Sequence, residues 1–120
     1  MIVKNFLEAE HRVVQGPHKG KGTATSTHLL RDSDFATNLK FINYTELHPG
    51  ASIGYHPHGD NEEVYVILEG EGMMNVNGET RPVHAGDVIL NKPGWSHGLE
   101  NGPDRNMRVL VFEVAGTAPQ

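Results

Sequence analysis

Apolar residues in this chain recur with a period of two, in short runs cut by Gly, Pro, Asn and Asp. That is the pattern of strands joined by tight turns. Leu39–Leu47, LKFINYTEL, carries Leu39, Phe41 and Leu47 on one parity and Ile42 and Tyr44 on the other. A strand apolar on both faces is sandwiched between sheets or covered by a partner subunit. Thr23–Arg31 is Thr-rich and alternating, and Val64–Leu68, VYVIL, is a buried strand closed by Gly70. Met73–Val76 leads into Asn77-Gly78, the preferred hairpin turn, and returns as ETRPV, where Pro82 implies an edge or a bulge. DVILN (87–91), HGLEN (97–101) and MRVLVFEV (107–114) complete the set. Residues 1–15 are too irregular for more than a helical turn near Glu8–Arg12, and GPHKGKG (16–22) is a loop. Roughly eight to ten short strands without a long helix predict an all-β barrel or jelly roll.

Composition narrows the function classes. At 120 residues with 14 Gly and 7 Pro, the chain is one domain rich in turns. A net charge of −5 with no basic stripe argues against a nucleic-acid partner. The absence of Cys excludes disulfides, thiolate nucleophiles and Cys-ligated zinc. No apolar run reaches the length of a membrane span and the N-terminus lacks the plan of a signal peptide, so the expected location is cytoplasmic.

Eight His in 120 residues is the chemically suggestive feature. His56 and His58 are two apart, so in an extended chain they leave the same face. Gly59-Asp60-Asn61 is turn chemistry that swings the chain back and brings Glu62 or Glu63 toward them. Further on, the tight turn Lys92-Pro93-Gly94 is followed by His97. Imidazoles and a carboxylate on rigid strands suit a borderline divalent metal.

These residues carry a resemblance. Gly50, His56, His58, Glu63 and Gly70 fit the first motif of the cupin superfamily, G-x5-H-x-H-x(3,4)-E-x6-G. Gly86, Gly94, His97 and Asn101 fit the second, G-x5-P-x-G-x2-H-x3-N, with Lys92 where Pro is usual and Pro93 beside it. The chain thus resembles a small single-domain cupin, an all-β double-stranded β-helix or jelly-roll barrel. The resemblance implies one divalent metal ion per chain (Fe, Mn, Ni, Co or Zn) held by His56, His58, Glu63 and His97. Strand parity groups Glu63 with Tyr65 and Ile67, and Glu62 with Val64, Val66 and Leu68; apolarity alone slightly favours Glu62 facing inward. The spacing to Gly70 favours Glu63, which is preferred. The expected organisation is N-terminal strands and loops over residues 1–36, packing on the barrel or a partner, a barrel over 37–115 and a loose tail over 116–120.

Other positions carry weaker expectations. Tyr65 shares the face of Glu63 and is the candidate acid, base or substrate-orienting residue, set against a buried Tyr bonded to backbone. His18 reads as a solvated loop residue, His48 and His84 as exposed turn residues, and His28 as facing a partner subunit. Trp95 roofs the cavity mouth or packs, and Met73 and Met74 fill core or interface. Arg81 and Arg108 meet an anionic substrate only if they point inward. No carboxylate or Arg beyond the motif is evident at an inward position, which disfavours a decarboxylase. Similar small cupins include isomerases, lyases and decarboxylases, but a dioxygenase-like enzyme on a small oxygenated molecule is weakly preferred. A non-catalytic module binding a small ligand or metal is the alternative. A homodimer is expected, with the N-terminal strands at the interface.

Overall fold

The computed structural model describes residues 1–116. The predicted tail falls almost entirely outside the described residues. Among these residues, ten strands form two antiparallel sheets. They are β1 (Arg12–Gln15), β2 (Thr23–Arg31), β3 (Leu39–Leu47), β4 (Ser52–Pro57), β5 (Asn61–Glu69), β6 (Glu71–Val76), β7 (Glu79–His84), β8 (Val88–Asn91), β9 (Ser96–Asn101) and β10 (Met107–Ala115). One sheet runs β1-β2-β3-β10-β5-β8 and the other β4-β9-β6-β7. Two single-turn 3-10 helices, Pro17–Lys19 and Asp32–Asp34, lie in loops. No helix among the described residues is long and apolar enough to cross a membrane.

Several sequence expectations hold. The Asn77-Gly78 turn has positive φ at both residues, 53° and 86°, as a type I′ turn requires. Pro82 lies on β7, an edge strand, where its missing N–H costs no ladder bond. Others do not. The helical turn near Glu8–Arg12 is instead a tight turn in which Asn5 O accepts from the amides of Glu8 and Ala9, and Arg12 opens β1. The paired Val13 and Val14 join the edge of the larger sheet, opposite Thr25 and Ala24.

Alternation along each strand sends one set of side chains inward, and that inner row changes character along its length. At one end Leu47 sits opposite Ala24 and Met107, and Val109 opposite Ile67, all at most 1% exposed. Leu99 from the other sheet completes this dry end. Burying each such aliphatic side chain fully contributes about 1.5–3 kcal/mol. Further along the same face come Ser26, Thr45, Val111 and Tyr65, and then His28, Asn43, Glu63 and Glu113. The apolar end anchors the barrel and the polar end is left to hold a site. The outer face of β3 is covered from within the chain, where Phe6 stacks on Tyr44 at 4.4 Å between ring centroids.

Asn101 ties the dry end shut. Its Nδ2 lies 3.0 Å from Leu47 O, 3.0 Å from His48 O and 2.7 Å from Arg105 O, joining β9 to the end of β3 and to the turn before β10. Replacing Asn101 by Leu removes these donors and strands buried carbonyls, so the variant should lose about 1–3 kcal/mol of unfolding free energy. Chemical denaturation checks this, and an unchanged midpoint would contradict the role.

Candidate metal centre

Three strand ends and two turns deliver the imidazoles. On β4 the register slips between Ile53 and His56, so that Ile53 faces Leu99 and His56 faces His97 across the same ladder. The extra residue of this bulge turns both Ile53 and His56 inward, which unbroken alternation forbids. The turn after β4 is strapped to the turn before β9: His58 N donates to Trp95 O at 3.0 Å, and Gly94 N to Gly59 O at 3.0 Å. The Asn77 turn is strapped there too, by Asn77 N to Ser96 O at 2.8 Å and Ser96 N to Asn77 Oδ1 at 3.2 Å. Lys92, which departs from the second motif, still closes its turn, accepting from Trp95 N at 3.1 Å. Trp95 is half-buried, with the Lys92 ammonium 5.9 Å from its ring centroid.

One ring nitrogen from each of His56, His58 and His97 converges, all within 4.8 Å of one another. Glu63 Oε1 lies 3.0 Å from His97 Nε2 and 3.5 Å from His58 Nε2. Glu63, with Tyr65 and Ile67, is on the inner face of β5, so Glu63 rather than Glu62 is the carboxylate that meets the imidazoles. The Tyr65 hydroxyl lies 3.2 Å from His97 Nε2 and bonds Glu63.

Second partners set the protons. His56 Nδ1 is 2.6 Å from Gly54 O, and His58 Nδ1 is 2.6 Å from Asn61 Oδ1. Both partners are acceptors, so both rings carry their proton on Nδ1 and present a lone pair at Nε2. Those two Nε2 atoms face each other at 3.1 Å. Burial also holds the His56 pKa below the ordinary imidazole value, keeping that ring neutral. Acceptors aimed at one point, two of them backed by a carbonyl-type partner, are the kind of donor set a divalent cation uses. Among the described residues, two buried polar groups remain without partners, His97 Nδ1 and the side-chain amide of Asn91, which sits opposite Glu63 on β8.

The structure adds residues that the sequence reading missed. Glu113 on β10 is directly opposite Glu63, hydrogen-bonds it, and places Oε1 3.6 Å from His58 Nδ1. Burial, then the adjacent Glu63 charge, pushes Glu113 up to about 7. Burial opposes the charge on Glu63 as well. The hydrogen bond from His97, the potentials of His58 and His97 and the bond with Glu113 outweigh it and hold Glu63 below the usual carboxylate range. The pair thus shares one proton near neutral pH. Tyr65 is raised well above the usual phenol range by burial and the Glu63 charge, and stays a neutral hydroxyl. The expectation of no further inward carboxylate is therefore corrected by Glu113.

His18 is also corrected. It is exposed at its rim, yet its ring stacks on His56 at 3.8 Å and 6° and lines the cavity. It gets there because Gly20 and Gly54 let two backbones touch. A Cβ on Gly54 would lie 2.1 Å from His18 O, and one on Gly20 2.1 Å from Ser52 O. By contrast His84 is exposed, as expected, and half-buried His48 bonds Thr25. Met74 is core but Met73 is exposed. Arg108 pairs with Glu69 at 3.0 Å and Arg81 bonds Pro82 O, so these bonds direct neither to the site.

The centre opens on a cavity of about 260 Å³ whose walls include His18, Ile53, Glu63, Tyr65 and Val111, with Arg12 and His28 farther out. A more open groove of about 980 Å³ lies between the N-terminal segment and β1–β2, and shares Arg12, Ser26 and His28 with the cavity.

The family model described as Cupin domain matches residues 43–113, more than half of the chain, and the chain belongs to the cupin family. It is 36% identical over 114 residues to a protein of Thermotoga maritima named "Oxalate-binding protein", covering 95% of this chain and 93% of that one. A crystal structure from Thermotoga maritima, described as a predicted oxalate decarboxylase, superposes with a TM-score of 0.91 at 31% identity, covering 94% and 98% of the two chains. The polyketide cyclase RemF of Streptomyces resistomycificus follows at 0.79 and 26% identity, covering 99% and 82%.

The loop docking yields a prediction. Gly54→Val should lift the Pro17–Lys19 segment from β4 and loosen the backbone around the already exposed Lys19 and Lys21, so native-state trypsin should cut there at least several-fold faster. Cleavage at the wild-type rate would contradict the close approach.

Proposed function

We propose that this cupin holds one divalent metal ion through His56, His58, His97 and Glu63, and binds a small carboxylate there as ligand or substrate. The observation that supports it best is the pair of Nε2 lone pairs facing each other at 3.1 Å beside the Glu63 carboxylate. Without a cation or an added proton that arrangement is repulsive. The donor set, three neutral imidazoles and a carboxylate, suits Mn, Fe, Co, Ni or Zn and leaves a net positive centre. Bound there, such an ion acts as a Lewis acid toward a carboxylate or carbonyl oxygen.

The chain's own residues supply the rest. Tyr65 orients Glu63 and His97 and offers a hydroxyl to the cavity, and we assign it as the candidate catalytic residue. Glu113 holds a proton beside Glu63, available to a bound anion. Ser26, His28, Asn43 and Thr45 set polar groups into a cavity wall that is otherwise largely apolar, with Val14, Ala24, Phe41, Ile53 and Val111. Those polar groups give a carboxylate hydrogen-bonding partners, and the name of the Thermotoga relative points the same way. The second reading is a binding module without turnover, and the name of that relative, a binding protein, favours it.

Oxalate titrated into Mn²⁺-loaded protein should bind, with binding lost in metal-stripped protein. Tyr65→Phe should weaken metal affinity about 10–100-fold. Oxalate binding unaffected by metal removal would contradict the proposal. Carbon dioxide or formate release from bound oxalate separates enzyme from module.

We also propose a homodimer, built on the exposed apolar residues Ile2, Val3, Leu7 and Val13 of the N-terminal segment and β1. Light scattering at micromolar concentration should give twice the 13.2 kDa chain mass, and the mass of a single chain would overturn this.

A further inference from the structure

The cavity has one permanently cationic wall, remote in sequence from both motifs. Arg12 of β1 sits opposite Ser26 of β2, and both line the cavity that Glu63 and Tyr65 line from β5. Arg12 Nη2 lies 2.6 Å from His28 Nε2, and His28 Nδ1 lies 3.0 Å from Asn43 Oδ1. A guanidinium only donates, so Nε2 accepts and Nδ1–H donates to Asn43. The chain Arg12→His28→Asn43 crosses β1, β2 and β3 and holds a long side chain in one place through neutral partners. Among the described residues no carboxylate lies within ion-pair distance of Arg12.

An exposed Arg on an edge strand is ordinarily a solvated charge. This one is anchored without being neutralised, at the boundary between the cavity and the outer groove. The cavity, at about 260 Å³, approaches the ~300–1,000 Å³ of ordinary small-molecule sites, and an oxalate fills only part of it. We propose that Arg12 is a distal anion subsite of this cavity, which receives the far carboxylate of a diacid longer than oxalate. The near carboxylate is held at the His56, His58, His97 and Glu63 centre, so the inference rests on the metal reading above and names its ligand class. Arg is suited to this task because its planar fork pairs two donors with a carboxylate.

The test titrates oxalate, succinate, glutarate and the monoacid butyrate into Mn²⁺-loaded wild type, Arg12→Gln and Arg12→Lys by calorimetry. Metal content and thermal midpoint are measured on each sample. Wild type should prefer glutarate or succinate over butyrate by roughly tenfold or more, as a charge-assisted hydrogen bond gives. Arg12→Gln should abolish that preference with metal content and thermal midpoint unchanged, and Arg12→Lys should keep part of it. A diacid preference that is absent in wild type, or unchanged in Arg12→Gln, overturns the inference. The two readings fail separately. Stoichiometric metal with no Arg12 dependence sinks only the subsite. An Arg12-dependent diacid preference in protein that takes up no metal upholds the subsite and sinks the metal centre.

Discussion

Two imidazole nitrogens that both present lone pairs, 3.1 Å apart, are the constraint on which the polar end of this barrel turns. Gly54 O and Asn61 Oδ1 fix the protons of His56 and His58 on the far side of each ring. The facing edges repel until something positive lies between them, and Glu63 adds a third acceptor. Nothing in an ordinary packed core produces that arrangement, because buried polar atoms normally pair donor with acceptor. It persists because the surrounding backbone over-determines it.

That over-determination comes from ladders and straps rather than from the site itself. His56 is locked opposite His97, and Glu63 opposite both Asn91 and Glu113, by strand register. Hydrogen bonds between the His58–Gly59 and Gly94–Trp95 turns join the two halves of the candidate ligand set, so neither moves alone. The apolar end, from Leu47 to Met107, contributes the burial that keeps these registers in place. Stability and chemistry thus occupy opposite ends of the same inner rows.

Much of this was legible in the chain. The bounds of β2 and β3 followed from alternation and flanking turn residues, and the Asn77-Gly78 hairpin from its dipeptide. Motif spacing singled out His56, His58, Glu63 and His97. The preference for Glu63 over Glu62 needed the spacing to Gly70, because the apolar residues of β5 fall on both parities. Glu113 was hidden for the same reason: Val109 and Val111 alternate with Leu110 and Phe112, so pattern alone does not say which side is inward. His18 was invisible because its place depends on contact between Gly20 and Gly54, two segments far apart in sequence. Arg12 was missed with β1, a short edge strand whose Val13 and Val14 gave no period to read. What escaped were pairings between distant segments, which local pattern does not encode.

The most direct test of the account is metal stoichiometry, by elemental mass spectrometry on tag-free protein beside a His56→Ala/His97→Ala double variant. The account predicts about one equivalent of a single divalent metal per chain, lost in the double variant while the fold persists. Less than about a tenth of an equivalent of any metal after reconstitution, or equal loading of the variant, would contradict it.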